Sequence, residues 1–262
     1  MKISVIGAGA MGGSIVKGLL KGTIIRSQDV TVADPRESAV DEFVASGVSL
    51  TSDNSVAASA GDVVFVVVKP WIVEKVLREI RPSLDPKRQA VVVVAAGVSL
   101  SKIKEWLEDE EGKVPPTFLA IPNIAIAQLC SMTFIVDGGA SSEWRRTIKE
   151  LFEDMGEAMF TEERLLPAAT SLASCGIAYA LRYIRAASEG GVELGFGAND
   201  SKKIVMQTVK GAVSVLEASG AHPEEAIDRV TTPGGVTIKG LNEMEHSGFT
   251  SSVIKGLKAG AK

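Results

Sequence analysis

The feature that most constrains this chain is a glycine pattern near its start. Gly7-Ala8-Gly9-Ala10-Met11-Gly12 follows the apolar run Ile3–Ile6 and opens a helical pattern over Met11–Leu20. Glycines at these three spacings do separate physical jobs. The first permits a tight turn, the second lets the backbone approach a pyrophosphate, and the third lets helix and strand pack closely. A helix that starts there turns its unpaired N–H groups and positive dipole end toward an anion. A bare glycine-rich turn is the alternative, but the strand before and the helix after favour a dinucleotide site. The candidate cofactor contacts here are Gly7, Gly9, Ala10, Met11 and Gly12.

The pattern that follows predicts an α/β fold. Short β-branched runs at Val30–Ala33, Val63–Val68, Ala90–Val94 and Thr117–Ile121 alternate with helical spacing at Glu37–Ser46, Trp71–Ile80 and Leu100–Leu107. Strands apolar on both faces and separated by helices imply a parallel sheet covered on both sides. Two more strands are predicted at Met132–Val136 and Glu157–Phe160, with a helix at Glu143–Met155 between them. Beyond about Thr161 no β-branched run recurs. Helical stretches take over at Arg164–Glu193 (broken near Cys175-Gly176), Asp200–Ala218, Pro223–Val230, Val236–His246 and Thr250–Lys258. The expected architecture is therefore a Rossmann-type doubly wound sheet over residues 1–160 and an all-helical domain over 161–262. A hundred residues of helix make a thin core, so pairing with a second copy as a homodimer, or in a larger homo-oligomer, is expected of this half.

Ligands of open parallel sheets lie beyond the carboxyl ends of the strands. That rule adds Val68-Lys69-Pro70 and Ala95-Ala96-Gly97, whose small residues leave room for a flat ring. The plainest reading of Lys69 is a solvated lysine at a strand end. Asp34 ends the second strand about twenty residues past the glycine turn, where a carboxylate accepts ribose hydroxyls and favours NADH. Arg36, two residues on, suits the 2′-phosphate of NADPH instead. The two signals oppose each other, and either cofactor is compatible with them. Asp34-Pro35 also reads as an ordinary turn and cap.

Composition excludes several other partners. The chain carries 28 Lys and Arg against 32 Asp and Glu, a net charge of -4, with no long basic block. Nucleic acid binding needs clustered cations and is not expected. The two cysteines, Cys130 and Cys175, and the two histidines, His222 and His246, form no metal-ligand spacing. Both cysteines are expected to be small buried hydrophobes. No stretch reaches the length of a membrane span and the start does not read as a signal peptide, so a cytoplasmic protein is expected.

In the last third, Pro233-Gly234-Gly235 ends one helix, and the next begins near Val236 with free first-turn N–H groups. That is a site for a small carboxylate, with Thr232 and Thr237 supplying hydroxyls nearby; an ordinary helix cap is the alternative. At this point the chain resembles the pyrroline-5-carboxylate reductase family over essentially its whole length. The resemblance rests on the glycine turn, Val68-Lys69-Pro70, Ala95-Ala96-Gly97 and Pro122-Asn123. It rests most on Asp228-Arg229-Val230-Thr231-Thr232-Pro233-Gly234-Gly235-Val236-Thr237-Ile238, followed by Leu241 and Glu245-His246-Ser247-Gly248-Phe249. It implies reduction of 1-pyrroline-5-carboxylate to proline by NADPH or NADH, with Asn123 among the cofactor contacts and the helical half as dimerisation domain. It further implies that Thr232, Gly234, Gly235, Val236 and Thr237 hold the substrate carboxylate. The Thr237 hydroxyl would hydrogen-bond the ring nitrogen. The chain departs from the family pattern at Leu119 (for arginine), Ala125 (for proline), Cys175 (for serine) and Ile177 (for proline). A related reductase of another cyclic imine or keto acid, or a nucleotide-binding regulatory relative without turnover, are the alternatives those departures suggest.

Overall fold

The computed structural model describes residues 1–261. Its strands and helices are β1 (Ile3–Ile6), α1 (Ala10–Lys21), β2 (Val30–Ala33), α2 (Glu37–Val40), β3 (Ser49–Thr51), α3 (Asn54–Ala60), β4 (Val63–Val66) and α4 (Val73–Ile80). Then come β5 (Ala90–Val93), α5 (Leu100–Leu107), β6 (Thr117–Ile121), β7 (Ser131–Asp137), α6 (Ser142–Glu153), β8 (Gly156–Phe160) and α7 (Leu166–Ala169). The last five helices are α8 (Cys175–Glu193), α9 (Ala198–Ser219), α10 (Pro223–Val230), α11 (Val236–His246) and α12 (Phe249–Gly260). The chain divides into two compact units, the first ending at Ser174 and the second covering Cys175–Gly260.

The first unit is built on an eight-stranded sheet in the order β3-β2-β1-β4-β5-β6-β7-β8. The pairs from β3 through β6 are all parallel, the doubly wound arrangement. β7 then runs antiparallel to β6, and β8 parallel to β7. The turn over 122–130 is too short for a parallel crossover, which needs a dozen residues or more. Alternation along the strands splits the core in two. Ile3, Val5, Val63, Phe65, Val92 and Phe118 face α1 and α6, whose Ile15, Leu19, Leu151 and Phe152 close that layer. Phe65 and Phe152 meet edge to face at 5.8 Å. Ile6, Val64, Val66, Val91, Val93 and Leu119 face the other way, against Ala57 of α3, Leu77 of α4 and Ile103 of α5.

Several elements differ from the sequence expectation. The helix expected over Glu37–Ser46 is one α-turn followed by a 3-10 segment, Asp41–Ser46, with Phe43 its buried anchor. The strand expected to reach Val68 ends at Val66. β3 and α3 were not evident in the apolar pattern. β3 is a short, partly exposed strand, and α3 buries only two alanines, Ala57 and Ala58. The break near Cys175 is a wide π-turn over Thr170–Ser174, after which α8 starts at Cys175 itself. Neither cysteine is buried: Cys130 is exposed and Cys175 half-buried. Leu129, at a φ of 59°, turns the chain ahead of Cys130 and leaves its thiol at the surface. No helix among the described residues is long and apolar enough to cross a membrane.

In the second unit, α8 and α9 pack through small residues. A Cβ on Gly191 would stand 2.1 Å from Ser201 Oγ, and that hydroxyl donates to Ser188 O at 2.7 Å. Gly220, at a φ of 61°, closes α9 in the left-handed conformation that glycine adopts without strain.

Candidate functional site

The glycine turn is held from below by the sheet. Gly7 sits at a φ of 97°, and its N–H donates to Ala33 O at 2.7 Å. A Cβ on Gly7 would stand 2.3 Å from Val67 O, and one on Gly12 would stand 1.8 Å from Gly7 O. Side chains at either position would force the turn open. Gly9 is different, for the nearest atom to its notional Cβ is Arg36 Nη2 at 3.9 Å. Backbone is thus laid bare at Gly9 on the side where a phosphate would approach. Gly9 also precedes α1 without a side-chain cap, and the first turn of α1 contains no acid. The N–H groups of Ala10, Met11 and Gly12 are therefore suited to an anion.

Asp34 and Arg36 close one side of the turn. Asp34 is 5% exposed. Its Oδ2 accepts from Ala8 N at 2.9 Å and from Arg36 Nη2 at 2.9 Å. Its Oδ1 accepts from Arg36 N at 3.0 Å and Arg36 Nε at 2.9 Å. Burial alone would raise the carboxyl pKa, but the Arg36 side chain, the Arg36 and Ala8 amides and the nearby positive charge together bring it below the usual carboxylate range. Beside this pair lies a polar cleft of about 340 Å³, lined by Gly9, Ser14, Lys17, Arg36, Ser38 and Glu42. Lys17 Nζ and Glu42 Oε2 form an ion pair at 2.7 Å there.

The remaining predicted contacts of the first unit lie at successive strand ends. Val68 adjoins the glycine turn, its Cγ1 3.0 Å from the notional Cβ of Gly7, while Lys69 and Pro70 are exposed. Beyond β5, Ala95 is buried, Ala96 exposed, and Gly97 stands at a φ of 78° with open space around it. Asn123 is 4% exposed and works as a local brace. Its Oδ1 accepts from Ala125 N at 3.0 Å, its N–H donates to Ser131 Oγ at 3.2 Å and its Nδ2 to Ala173 O at 3.5 Å. Ser174 Oγ donates to Pro122 O at 2.9 Å, so the π-turn is tied to the same strand end. Leu119 is fully buried and Ala125 half-buried.

In the second unit, Gly235 precedes α11 without a side-chain cap, and no acid stands in the helix's first turn. Gly234 has a φ of 71°. A Cβ on Gly235 would stand 2.5 Å from Thr232 Oγ1, so the loop folds tightly on itself. Thr232, Val236 and Thr237 are exposed. The ordinary-cap alternative for the two threonines does not describe α11, whose cap carries no side-chain bond. His222 is a cap, its Nδ1 accepting from Glu224 N at 3.3 Å, and His246 closes α11 3.9 Å from Glu243.

Sequence reasoning passed over Lys17, Ser38 and Glu42 on the cleft wall, and Trp71, which is 78% exposed just beyond β4. The first three carry no motif of their own.

Comparison with known proteins finds similarity in both the first and the last part of the chain. A family model for pyrroline-5-carboxylate reductase dimerisation matches residues 163–262, and one for NADP oxidoreductase, coenzyme F420-dependent, matches residues 2–97. Pyrroline-5-carboxylate reductase 1 of Dictyostelium discoideum is 35% identical over 97% of this chain, which spans about half (48%) of that relative's length. Pyrroline-5-carboxylate reductase 2 of the same organism is 34% identical over 99% of this chain and 91% of its own. The crystal structure of 1-pyrroline-5-carboxylate reductase from Streptococcus pyogenes has a TM-score of 0.86 at 27% identity, covering 100% of this chain and 96% of that one.

Proposed function

The chain belongs to the pyrroline-5-carboxylate reductase family, and from that premise we propose that it reduces 1-pyrroline-5-carboxylate to proline with NADPH or NADH. The observation that carries the reading is full-length similarity to reductases of that name, joined to two uncapped helix starts. One, at Gly9 and α1, suits a pyrophosphate; the other, at Gly235 and α11, suits a small carboxylate. We assign residues 1–160 to nucleotide binding and 161–262 to dimerisation and substrate binding.

The reduced nicotinamide supplies the hydride. The protein's own work is binding and orientation. Gly7, Gly9, Ala10, Met11 and Gly12 form the phosphate cradle, with Val68, Lys69, Pro70, Ala95, Ala96, Gly97 and Asn123 along the strand ends. Thr232, Gly234, Gly235 and Val236 hold the carboxylate, the α11 dipole contributing on the order of 0.3–1 kcal/mol. Thr237 Oγ1 hydrogen-bonds the ring nitrogen, whose charge changes as the C=N bond is reduced. No histidine is needed for this step, since a protonated imine carbon is electrophilic without further activation.

The helical unit presents apolar side chains to solvent when the chain is taken alone, among them Leu181, Leu194, Ile204, Met206 and Val213. A second copy of the chain covers them in this reading, and the protein works as a homodimer or larger homo-oligomer in the cytoplasm.

The direct test is incubation with 1-pyrroline-5-carboxylate and each reduced cofactor. Proline is expected in amounts equal to the cofactor oxidised. Absence of proline with both cofactors would overturn the assignment.

A further inference from the structure

We propose that Asp34 is a positioning residue for nucleotide selection: it locks Arg36 and the Ala8 amide into one unit that receives a 2′-phosphorylated adenosine, so an acid at the end of β2 here selects NADPH. The proposal rests on the cofactor reading above and gives it a direction.

An acid at this place favours NADH only if its oxygens can accept the ribose hydroxyls. A carboxylate has about four acceptor positions, two per oxygen. Asp34 fills all four internally. Oδ1 takes Arg36 N and Nε; Oδ2 takes Ala8 N and Arg36 Nη2. With Asp34 5% exposed, a ribose hydroxyl would have to displace one of these bonds. The geometry is local and stiff. Pro35 fixes one φ between the partners, and the Arg36 amide closes back on Asp34 as in an Asx turn.

Arg36 is left with capacity to spare. A guanidinium carries five N–H donors. Two of them serve Asp34, and the side chain is still 64% exposed. Its Nη2 lies 3.9 Å from the notional Cβ of Gly9, at the edge of the polar cleft. Lys17, the other cation lining the cleft, is engaged by Glu42. Arg36 keeps three of its five N–H donors free of Asp34 and lies beside Gly9, and a forked guanidinium suits a phosphate better than the single ammonium of Lys17. Asp34 sets its orientation from below while tying that orientation to the glycine turn through Ala8.

The test is direct binding, without substrate, of NADPH, NADH and adenosine 2′,5′-bisphosphate to the full chain and to two variants. Asp34→Asn keeps a carbonyl for the Ala8 amide but loses the two-pronged grip on Arg36. Arg36→Lys keeps the charge and loses the fork. The native chain is expected to bind NADPH at least about tenfold tighter than NADH. In each variant Kd for NADPH and for the bisphosphate should rise about tenfold, and that for NADH less than about threefold. Combining the two changes should add little to either alone. A collapsed turn would instead weaken both cofactors equally, and that result overturns the proposal. So does a native chain that prefers NADH, an Asp34→Asn chain that loses NADH selectively, or an Arg36→Lys chain with an unchanged ratio. Should Asp34→Asn not fold, Arg36→Lys decides alone. Failure to reduce 1-pyrroline-5-carboxylate would leave these binding ratios standing and would strike only the activity assigned above.

Discussion

The two units solve the problem of burying apolar surface in different ways. In the first, β1, β4, β5 and β6 are buried along their whole length and two helical layers cover the sheet. In the second, α8, α10, α11 and α12 contain no fully buried residue, and α9 buries only Ser201. One unit is stabilised by its own sequence. The other displays Leu194 at 82% and Leu181 at 56% exposure, a surface that a helix bundle of this size does not leave to water without cause. A parallel sheet closes its core within one chain, whereas a set of helices joined by short turns leaves faces for a second copy.

The largest effect that would sharpen this contrast is in the first unit. Gly12→Ala places a Cβ against Gly7 O. It should cost about 3 kcal/mol or more and abolish nucleotide binding, read by denaturant midpoint and cofactor titration. The matching test in the second unit is Leu181→Glu. At a free surface such a change stays within about 0.5 kcal/mol. Here sedimentation is expected to show a monomer, with cofactor binding retained; an unchanged oligomer would break the comparison.

A smaller effect separates binding from chemistry. Thr237→Ala should lower kcat/KM for the imine about 10- to 100-fold while Kd for NADPH stays put, as expected of a group that meets only the substrate. A matching rise in the cofactor Kd would show that Thr237 acts elsewhere.

The smallest is a pH effect on the first unit. Asp154 accepts from Thr23 N, Thr23 Oγ1 and Ile24 N. Burial raises its pKa, but those bonds outweigh it and the net shift is downward. A depressed folded pKa stabilises above the unfolded value, near 4, and that contribution fades as pH falls through the folded one. Asp154→Asn should therefore cost about 1 kcal/mol at neutral pH. The gap from the native chain should shrink in acid, and a gap independent of pH would contradict the assignment.

Much of the first unit was legible because burial on both faces of a parallel sheet leaves unbroken β-branched runs such as Val63–Val66 and Ala90–Val93. β3 and α3 escaped because an edge strand of three residues and a helix of alanines and serines carry almost no periodicity. The α3 start did have a signal in Asp53, whose side chain accepts from Ser55 N and Val56 N. The reversal of β7 was hidden because strand direction depends on loop length rather than on apolar content. At the site, the glycine turn reads from spacing alone. The Asp34–Arg36 lock does not, since an acid and a base two residues apart look like rivals until their hydrogen bonds are counted. Exposure of Cys130 was equally invisible, being set by the backbone at Leu129 rather than by the cysteine.

The most direct test of the assigned reaction follows the hydride itself. NADPH labelled with deuterium at nicotinamide C4, in each of its two stereochemical forms, would be consumed with 1-pyrroline-5-carboxylate and the proline examined by mass spectrometry and NMR. One form should deliver its label to the ring carbon that had carried the C=N bond, and the other should not. Proline without label from either form, or no proline at all, would contradict the account.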